Sequence, residues 1–272
     1  MTTQFPPAQP LRILNLEGGC NFRDLGGYRT RDGRETQWGR VFRTGVLSYF
    51  TPNDQQQLNQ LGVRAICDLR RAEEREREQT RWPDTNTQHV SWDDGSAPPT
   101  IRSIAASRSH PYTAAGMYAT MIDLYRALPA WMAPRVRGMF ERIAQGDVPM
   151  LVHCAAGKDR TGIAIALLLT VLDVPHETII EDYLFTNNAC DLVQFILTRH
   201  QAQLGVAASL QPLLTMPEDI RHVLFTADVD YLHAALDQIA HDHGDVREYL
   251  RKEIGVDDAM RAKVQVALLG AG

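Results

Sequence analysis

The alternation of apolar and polar positions divides this chain into short apolar runs and longer runs with helical spacing. Apolar runs at 63–69 and 148–152, the pair Val41-Phe42 and the stretch 88–91 read as strands. Thr51-Pro52 opens a helix, Thr51 capping it and Pro52 at its first position; it runs to about 61, where Gly62 stops it. Residues 112–128 and 131–143 read as two amphipathic helices, with Pro129 and Pro134 marking the break and the restart. The apolar run 163–172 reads as a buried helix, and another starts at 179–184. Residues 189–222 keep helical spacing (Leu192, Phe195, Ile196) on a more polar background and read as a helical hairpin. Helical patterns over 231–250 and 254–269 complete the cover. Strands interleaved with helices predict an α/β fold: a central, mostly parallel sheet of four or five strands flanked by helices. The polar stretch 97–109 reads as a flexible flap, the charge run 73–78 as a solvated helix face, and the Pro/Gln-rich 1–10 as a loose N-terminus. The remainder of the chain, 11–272, reads as a single domain.

Composition removes several classes. The chain has 272 residues, with 33 acidic against 28 basic side chains and a net charge of −5, so nucleic acid is not an expected partner. No uncharged apolar stretch reaches the ~18 residues a membrane span needs. The start has neither the basic nor the apolar segment of a signal peptide, so a cytoplasmic location is expected, with secretion by another route left open. Four widely spaced cysteines, Cys20, Cys67, Cys154 and Cys190, form no CxxC pair; neither a disulfide framework nor a zinc cluster is expected, and a reducing compartment is. Cys67, inside a strand, reads as a core thiol. No metal and no cofactor are expected.

The candidate chemistry sits at 151–162, Leu-Val-His-Cys-Ala-Ala-Gly-Lys-Asp-Arg-Thr-Gly, between the strand at 148–152 and the helix at 163–172. In such a turn successive N–H groups face inward and the helix N-terminus adds positive potential, which makes an anion cradle from Ala155, Ala156, Gly157, Lys158 and Thr161. The same field favours a thiolate at Cys154. Arg160 can grip two oxygens of a tetrahedral oxyanion at once, a task lysine does poorly. Thiolate, cradle and fork-shaped cation belong together in phosphoryl transfer to cysteine. Within that scheme Thr161 can donate to the departing sulfur, His153 can order the loop from beneath, and Lys158 adds charge at the pocket floor or rim.

His153-Cys154, five residues and then Arg160-Thr161 resemble the His-Cys-x5-Arg-Ser/Thr signature loop of the cysteine-dependent protein tyrosine phosphatase superfamily. The inner letters Gly157-Lys158-Asp159-Arg160-Thr161 are similar to those of the bacterial tyrosine phosphatases related to the secreted phosphatase B of mycobacteria. That group has tyrosine, serine/threonine and phosphoinositide activity. Blocks at 21–28, 40–48, 68–70, 181–188 and 231–269 extend the resemblance over roughly 11–270. The resemblance implies a tyrosine phosphatase fold with 189–222 as a helical lid. It implies hydrolysis of phosphotyrosine, or of phosphoserine and phosphothreonine, in proteins through a phosphocysteine, with phosphoinositide lipids as the alternative substrate. It also implies that Asp159, otherwise out of place in an anion cradle, is the proton donor. Arg23 and Asp24 are expected to buttress the loop.

Two other carboxylates compete for the acid's role. Asp93 follows the strand at 88–91 and ranks second by its place in the order. Asp84 stands in a Trp82-Pro83-Asp84 triplet like that on the acid loop of many tyrosine phosphatases, but it precedes a strand instead of following one, and ranks third. Sulfurtransferase or arsenate reductase chemistry also uses a thiolate in an anion loop. Arsenate reduction would need a resolving cysteine, for which Cys20 is the candidate. A phosphate-binding module without activity is disfavoured by the intact Cys154 and Arg160.

Overall fold

Five short strands make the sheet: β1 (Arg23–Asp24), β2 (Val41–Thr44), β3 (Ala65–Asp68), β4 (Gln88–Ser91) and β5 (Met150–His153), in the order β1-β2-β5-β3-β4. Only β1 is antiparallel to its neighbour; β2, β5, β3 and β4 run parallel. The structure, a computed structural model, describes residues 12–93, 95–96, 98–108, 110–196 and 215–270. The last strand in sequence lies at the centre, with Thr44 and Asp68 both in register with His153. The carboxyl ends of β2, β5 and β3 therefore meet at one edge, where parallel sheets form their crevices.

Alternating side chains split the core in two. Phe42, Ile66 and Leu151 join Phe22, Leu47, Phe50, Leu58 and Val63 on one face. Val41, Ala65, Cys67, Met150 and Val152 face the larger, helix-covered side. Cys67 is the core thiol expected of it. Helix α1 (Pro52–Asn59) covers the first face through Leu58. Thr51 caps it, with Asp54 in a capping box, a device worth about 1 kcal/mol. Asp54 also accepts the N–H groups of Glu17 and Gly18, both at 2.8 Å, tying the chain before β1 to this helix.

Three sequence-based expectations change here. The two helices expected either side of Pro129 are one, α4 (Ala114–Ala144), with Pro129 and Pro134 inside it. Each proline removes one helical hydrogen bond. The buried stripe Met121, Leu124, Tyr125, Leu128, Met132, Val136, Met139, Phe140 and Ile143 nevertheless stays in phase through both, so burial outweighs the lost bonds. The expected flap contains a helix, α3 (Ile101–Arg108), whose Ile101 and Ile104 pack against the larger core. The charge run belongs to α2 (Ala72–Arg77), and its Glu74 is paired with Arg160 instead of solvated.

Helices α5 (Asp159–Val171), α6 (His176–Leu184) and α7 (Thr186–Ala189) follow β5, then Glu218–Phe225, Val229–His243, Val246–Tyr249 and Asp258–Leu268. Of the hairpin expected at 189–222, residues 197–214 lie outside the described residues. Among the described residues no helix is long and apolar enough to cross a membrane.

The cysteines correct the sequence reading. Cys20 and Cys190 form a disulfide across 170 residues, with Cα atoms 5.6 Å apart. Spacing could not show this, because the two meet only when the strand end beside Thr44 and the end of α7 are brought together. The bond also removes Cys20 as a free resolving thiol. Reducing it is expected to cost about 2–4 kcal/mol of stability. A reductant should therefore lower the melting temperature of the native chain but not of a Cys20→Ser/Cys190→Ser variant. An identical melting curve with and without reductant would mean the pair is unbridged in solution.

Candidate active site

Residues 154–158 form the turn from β5 to α5, at the carboxyl end of the central strand. Gly157 has φ +68°, and a Cβ there would lie 2.6 Å from the carbonyl carbon of Thr44, so glycine is required. Among the described residues no acceptor is found for the backbone N–H groups of Ala155, Ala156, Gly157 and Lys158. Those groups and the first-turn amides of α5 are the ones from which an anion cradle is expected. Cys154 is a free thiol, 1% exposed, where this cradle begins.

The turn is held from behind. The Gly157 carbonyl accepts both the Asn21 side-chain amide and the Arg43 guanidinium, each at 2.8 Å. In a trans peptide the N–H opposes the carbonyl, so these two donors turn the Lys158 N–H away from themselves and into the cradle. Asp182 on α6 anchors both arginines: Arg43 at 2.5 Å, and Arg23 through Nε at 3.1 Å and through the Asp182 carbonyl at 2.7 Å. Tyr28 donates to the same carboxylate at 2.9 Å, and Arg23 also bonds the Asn21 side chain. Burial alone would push the Asp182 carboxyl up; Arg23, Arg43 and Tyr28 overcome it and hold the group well below the usual carboxylate range. Removing one partner of so buried a set costs about 3–5 kcal/mol, because the remaining charge is stranded.

Arg23 reaches the loop only at one remove, through Asn21 and through the Asp182 carboxylate it shares with Arg43. Asp24 does not: its carboxylate accepts the N–H groups of Gly26 and Gly39, at 2.8 and 2.7 Å, and pins the turn after β1. His153 is fully buried, its Nδ1 3.2 Å from the Cys154 carbonyl and its Nε2 3.4 Å from Asp68. Asp68 in turn holds Arg70 through both oxygens. The Thr161 hydroxyl is buried and has no hydrogen-bond partner among the described residues.

Lys158 departs from its expected place. It is 2% exposed, and its ammonium donates to the carbonyls of Leu224 and Thr226, at 2.6 and 3.2 Å. Cations suit the carbonyl end of a helix, here Glu218–Phe225, better than an amide-lined cradle. The charge is therefore spent on joining the loop to that helix and not on the pocket rim.

Arg160 is gripped bidentately by Glu74, at 2.7 and 2.8 Å. Glu74 also accepts the backbone N–H and Nε of Arg71. Burial would push Glu74 up, but Arg160 and Arg71 hold it well below its ordinary range. Arg160 is correspondingly raised by Glu74 despite its own burial, and is a permanent cation. Glu74 was hidden in a run of alternating charges, where nothing marks one glutamate from the next. Glu74→Gln is expected to lower kcat/KM for an aryl phosphate roughly ten- to a hundredfold, the cost of a slightly misplaced charge. An unchanged kcat/KM would mean that the loop alone orients Arg160.

Asp159 begins α5 with its side chain 27% exposed. It accepts the Tyr125 hydroxyl at 2.7 Å and lies 3.3 Å from the Lys158 ammonium. Asp93 is at the same end of the sheet, but its carboxylate is exposed and bound by Arg75. Asp84 lies before β4, so its turn is at the opposite end from Cys154; it accepts the Asn86 N–H at 2.8 Å, while Trp82 packs beside Phe50. Among the described residues no group of three or more His, Cys, Asp or Glu side chains could hold a metal ion.

The central, mostly parallel five-stranded sheet flanked by helices, with Cys154 and Arg160 on the turn and helix after its central strand, is consistent with a tyrosine phosphatase fold. Residues 14–270 match the model of the tyrosine phosphatase family, and the chain belongs to that family. It is 34% identical over 244 residues to a protein of Cupriavidus necator named as a candidate tyrosine-protein phosphatase, covering 88% of this chain and 83% of the relative. It is 27% identical to the triple specificity protein phosphatase PtpB of Mycobacterium tuberculosis, over 96% of this chain and all of the relative. A tyrosine-protein phosphatase of Nostoc commune is 33% identical over 146 residues, 52% of this chain and 46% of the relative.

Proposed function

We propose that this protein hydrolyses phosphotyrosine in proteins through a phosphocysteine intermediate, with Cys154, Arg160 and Asp159 as the catalytic residues. The observation that carries this reading is the set of four unpaired loop amides between Cys154 and an arginine already oriented by Glu74. In the first step the Cys154 thiolate attacks phosphorus, an S–P bond forms and the bond to the leaving oxygen breaks. The leaving oxygen takes its proton from Asp159, while the amides and Arg160 hold the equatorial oxygens. In the second step water attacks phosphorus, gives a proton to the Asp159 carboxylate and releases phosphate. The thiolate returns beside the Thr161 hydroxyl.

Burial of the nucleophile favours an aryl phosphate. Cys154 is 1% exposed, so the phosphorus must be carried down into the protein, and a phosphotyrosine side chain reaches farther than a phosphoserine. Lys158, tied to Leu224 and Thr226, adds no charge at the rim to select a polyphosphorylated lipid headgroup. One of the relatives is named for triple specificity, so the deciding experiment compares phosphotyrosine, phosphoserine and phosphothreonine peptides with phosphoinositides under one condition. The highest kcat/KM is expected on phosphotyrosine, insensitive to EDTA and inhibited by vanadate. A preference for phosphoinositides, or a loss with chelator that zinc or magnesium restores, would overturn it.

A further inference from the structure

We propose that Tyr125 is a positioning residue for the general acid: its hydroxyl, ordered by Tyr183, fixes which oxygen of Asp159 carries the proton to the leaving group. This rests on the reading of Asp159 as the acid. Asp159 is in the first turn of α5, Tyr125 is in the middle of α4 and Tyr183 is near the end of α6. The Tyr125 hydroxyl lies 2.7 Å from Asp159 Oδ1 and 2.7 Å from the Tyr183 hydroxyl. A phenol has one proton. Tyr125 donates it to the carboxylate, so the bond between the phenols must use the proton of Tyr183. The chain is directional: Tyr183 to Tyr125 to Asp159.

The surroundings keep it so. Both phenols are buried, and the rings cross edge to face at 77° with centroids 6.3 Å apart. The Tyr231 ring also packs on Tyr125, 5.5 Å between centroids. Glycine at 162 is what lets α5 approach, since a Cβ there would meet the Tyr183 ring at 2.8 Å. Burial and the charge of Asp159 hold both phenols well above their ordinary range, so they remain donors wherever a phosphatase works.

Oδ1 accepts the Tyr125 hydroxyl at 2.7 Å and is the oxygen nearer the Lys158 ammonium, in an ion pair at 3.3 Å. An oxygen so occupied is the carbonyl oxygen of the protonated acid, not its hydroxyl. The transferable proton is therefore placed on Oδ2, which has no described donor. The Lys158 ammonium is held by the carbonyls of Leu224 and Thr226. The groups that face the Asp159 carboxyl are then Tyr125 from α4, Tyr183 from α6, Tyr231 from Val229–His243, and Lys158 and Arg160 on either side in sequence.

The test uses Tyr125→Phe, Tyr183→Phe and Asp159→Asn, alone and combined, with phenyl phosphate and p-nitrophenyl phosphate over a range of pH. Tyr125→Phe is expected to slow phenyl phosphate about tenfold and p-nitrophenyl phosphate much less, because only the poor leaving group needs the proton. Tyr183→Phe should act in the same direction and less, and it serves as the probe if Tyr125→Phe does not fold. In the Asp159→Asn background neither tyrosine change should alter the ratio between the two esters. If Asp159→Asn slows both esters alike, the acid is elsewhere and the assignment of Tyr125 falls with it. If Asp159→Asn shows the leaving-group dependence while both tyrosine variants leave the ratio unchanged, the acid stands and the positioning role is overturned.

Discussion

Cys154→Ser is expected to abolish turnover of any phosphomonoester, a loss of at least about 10⁴-fold, the scale on which removing a covalent nucleophile acts. A serine hydroxyl is a far weaker nucleophile than a cysteine sulfur and is not ionised near neutral pH. The amides of 155–158 need no side chain, so the variant should still bind phosphate and vanadate. Binding retained and turnover lost would place the defect in the chemistry. Arg160 calls for a different substitution. Arg160→Ala would leave the Glu74 carboxylate, now paired at 2.7 and 2.8 Å, with Arg71 alone, and the loss of stability would blur the kinetic result. Arg160→Lys keeps a charge for Glu74 but loses the fork. It is expected to lower kcat about 10²–10³-fold with little change in melting temperature. A Cys154→Ser enzyme that still turned over, or an Arg160→Lys enzyme near wild type, would end the covalent mechanism proposed for this site.

Asp159→Asn is expected to slow phenyl or alkyl phosphates by roughly 10²–10⁴-fold, and p-nitrophenyl phosphate far less. Asparagine keeps an oxygen to accept the Tyr125 hydroxyl at the position now 2.7 Å away, so the variant should fold. A plain electrostatic or folding defect would slow both esters alike. The competing assignment is tested in parallel: Asp93 lies at the same end of the sheet, bound by Arg75. Leaving-group dependence in Asp93→Asn and not in Asp159→Asn would move the acid to the loop after β4.

How much of this was visible beforehand depended on whether the interaction was local. The cradle is a run of neighbours, and its shape follows from one strand, one glycine with φ +68° and one helix start. Thr51 and Gly62 likewise act within one turn, and both do what their residue types predict. Where two local rules competed, sequence misled. Pro129 and Pro134 signalled a break, yet an apolar stripe in phase on both sides carries α4 through them. Nor could spacing pair Cys20 with Cys190 across 170 residues.

By itself the sequence determined the α/β order of elements, the turn between strand and helix that carries Cys154 and Arg160, and the placement of Asp159 beside them. All of these rest on chain neighbours and on the periods of burial. Only the tertiary structure decided what the buried polar atoms meet. Glu74 lies 86 positions from Arg160, Arg43 lies 139 from Asp182, and Tyr125 lies 34 from Asp159. Lys158 was turned away from the pocket by two carbonyls more than sixty positions downstream. Periodicity marks Tyr125 as buried as surely as it marks Leu124. It says nothing of where a hydroxyl or a guanidinium points, because a hydrogen bond needs its partner within about 3 Å and the partner arrives on a different element.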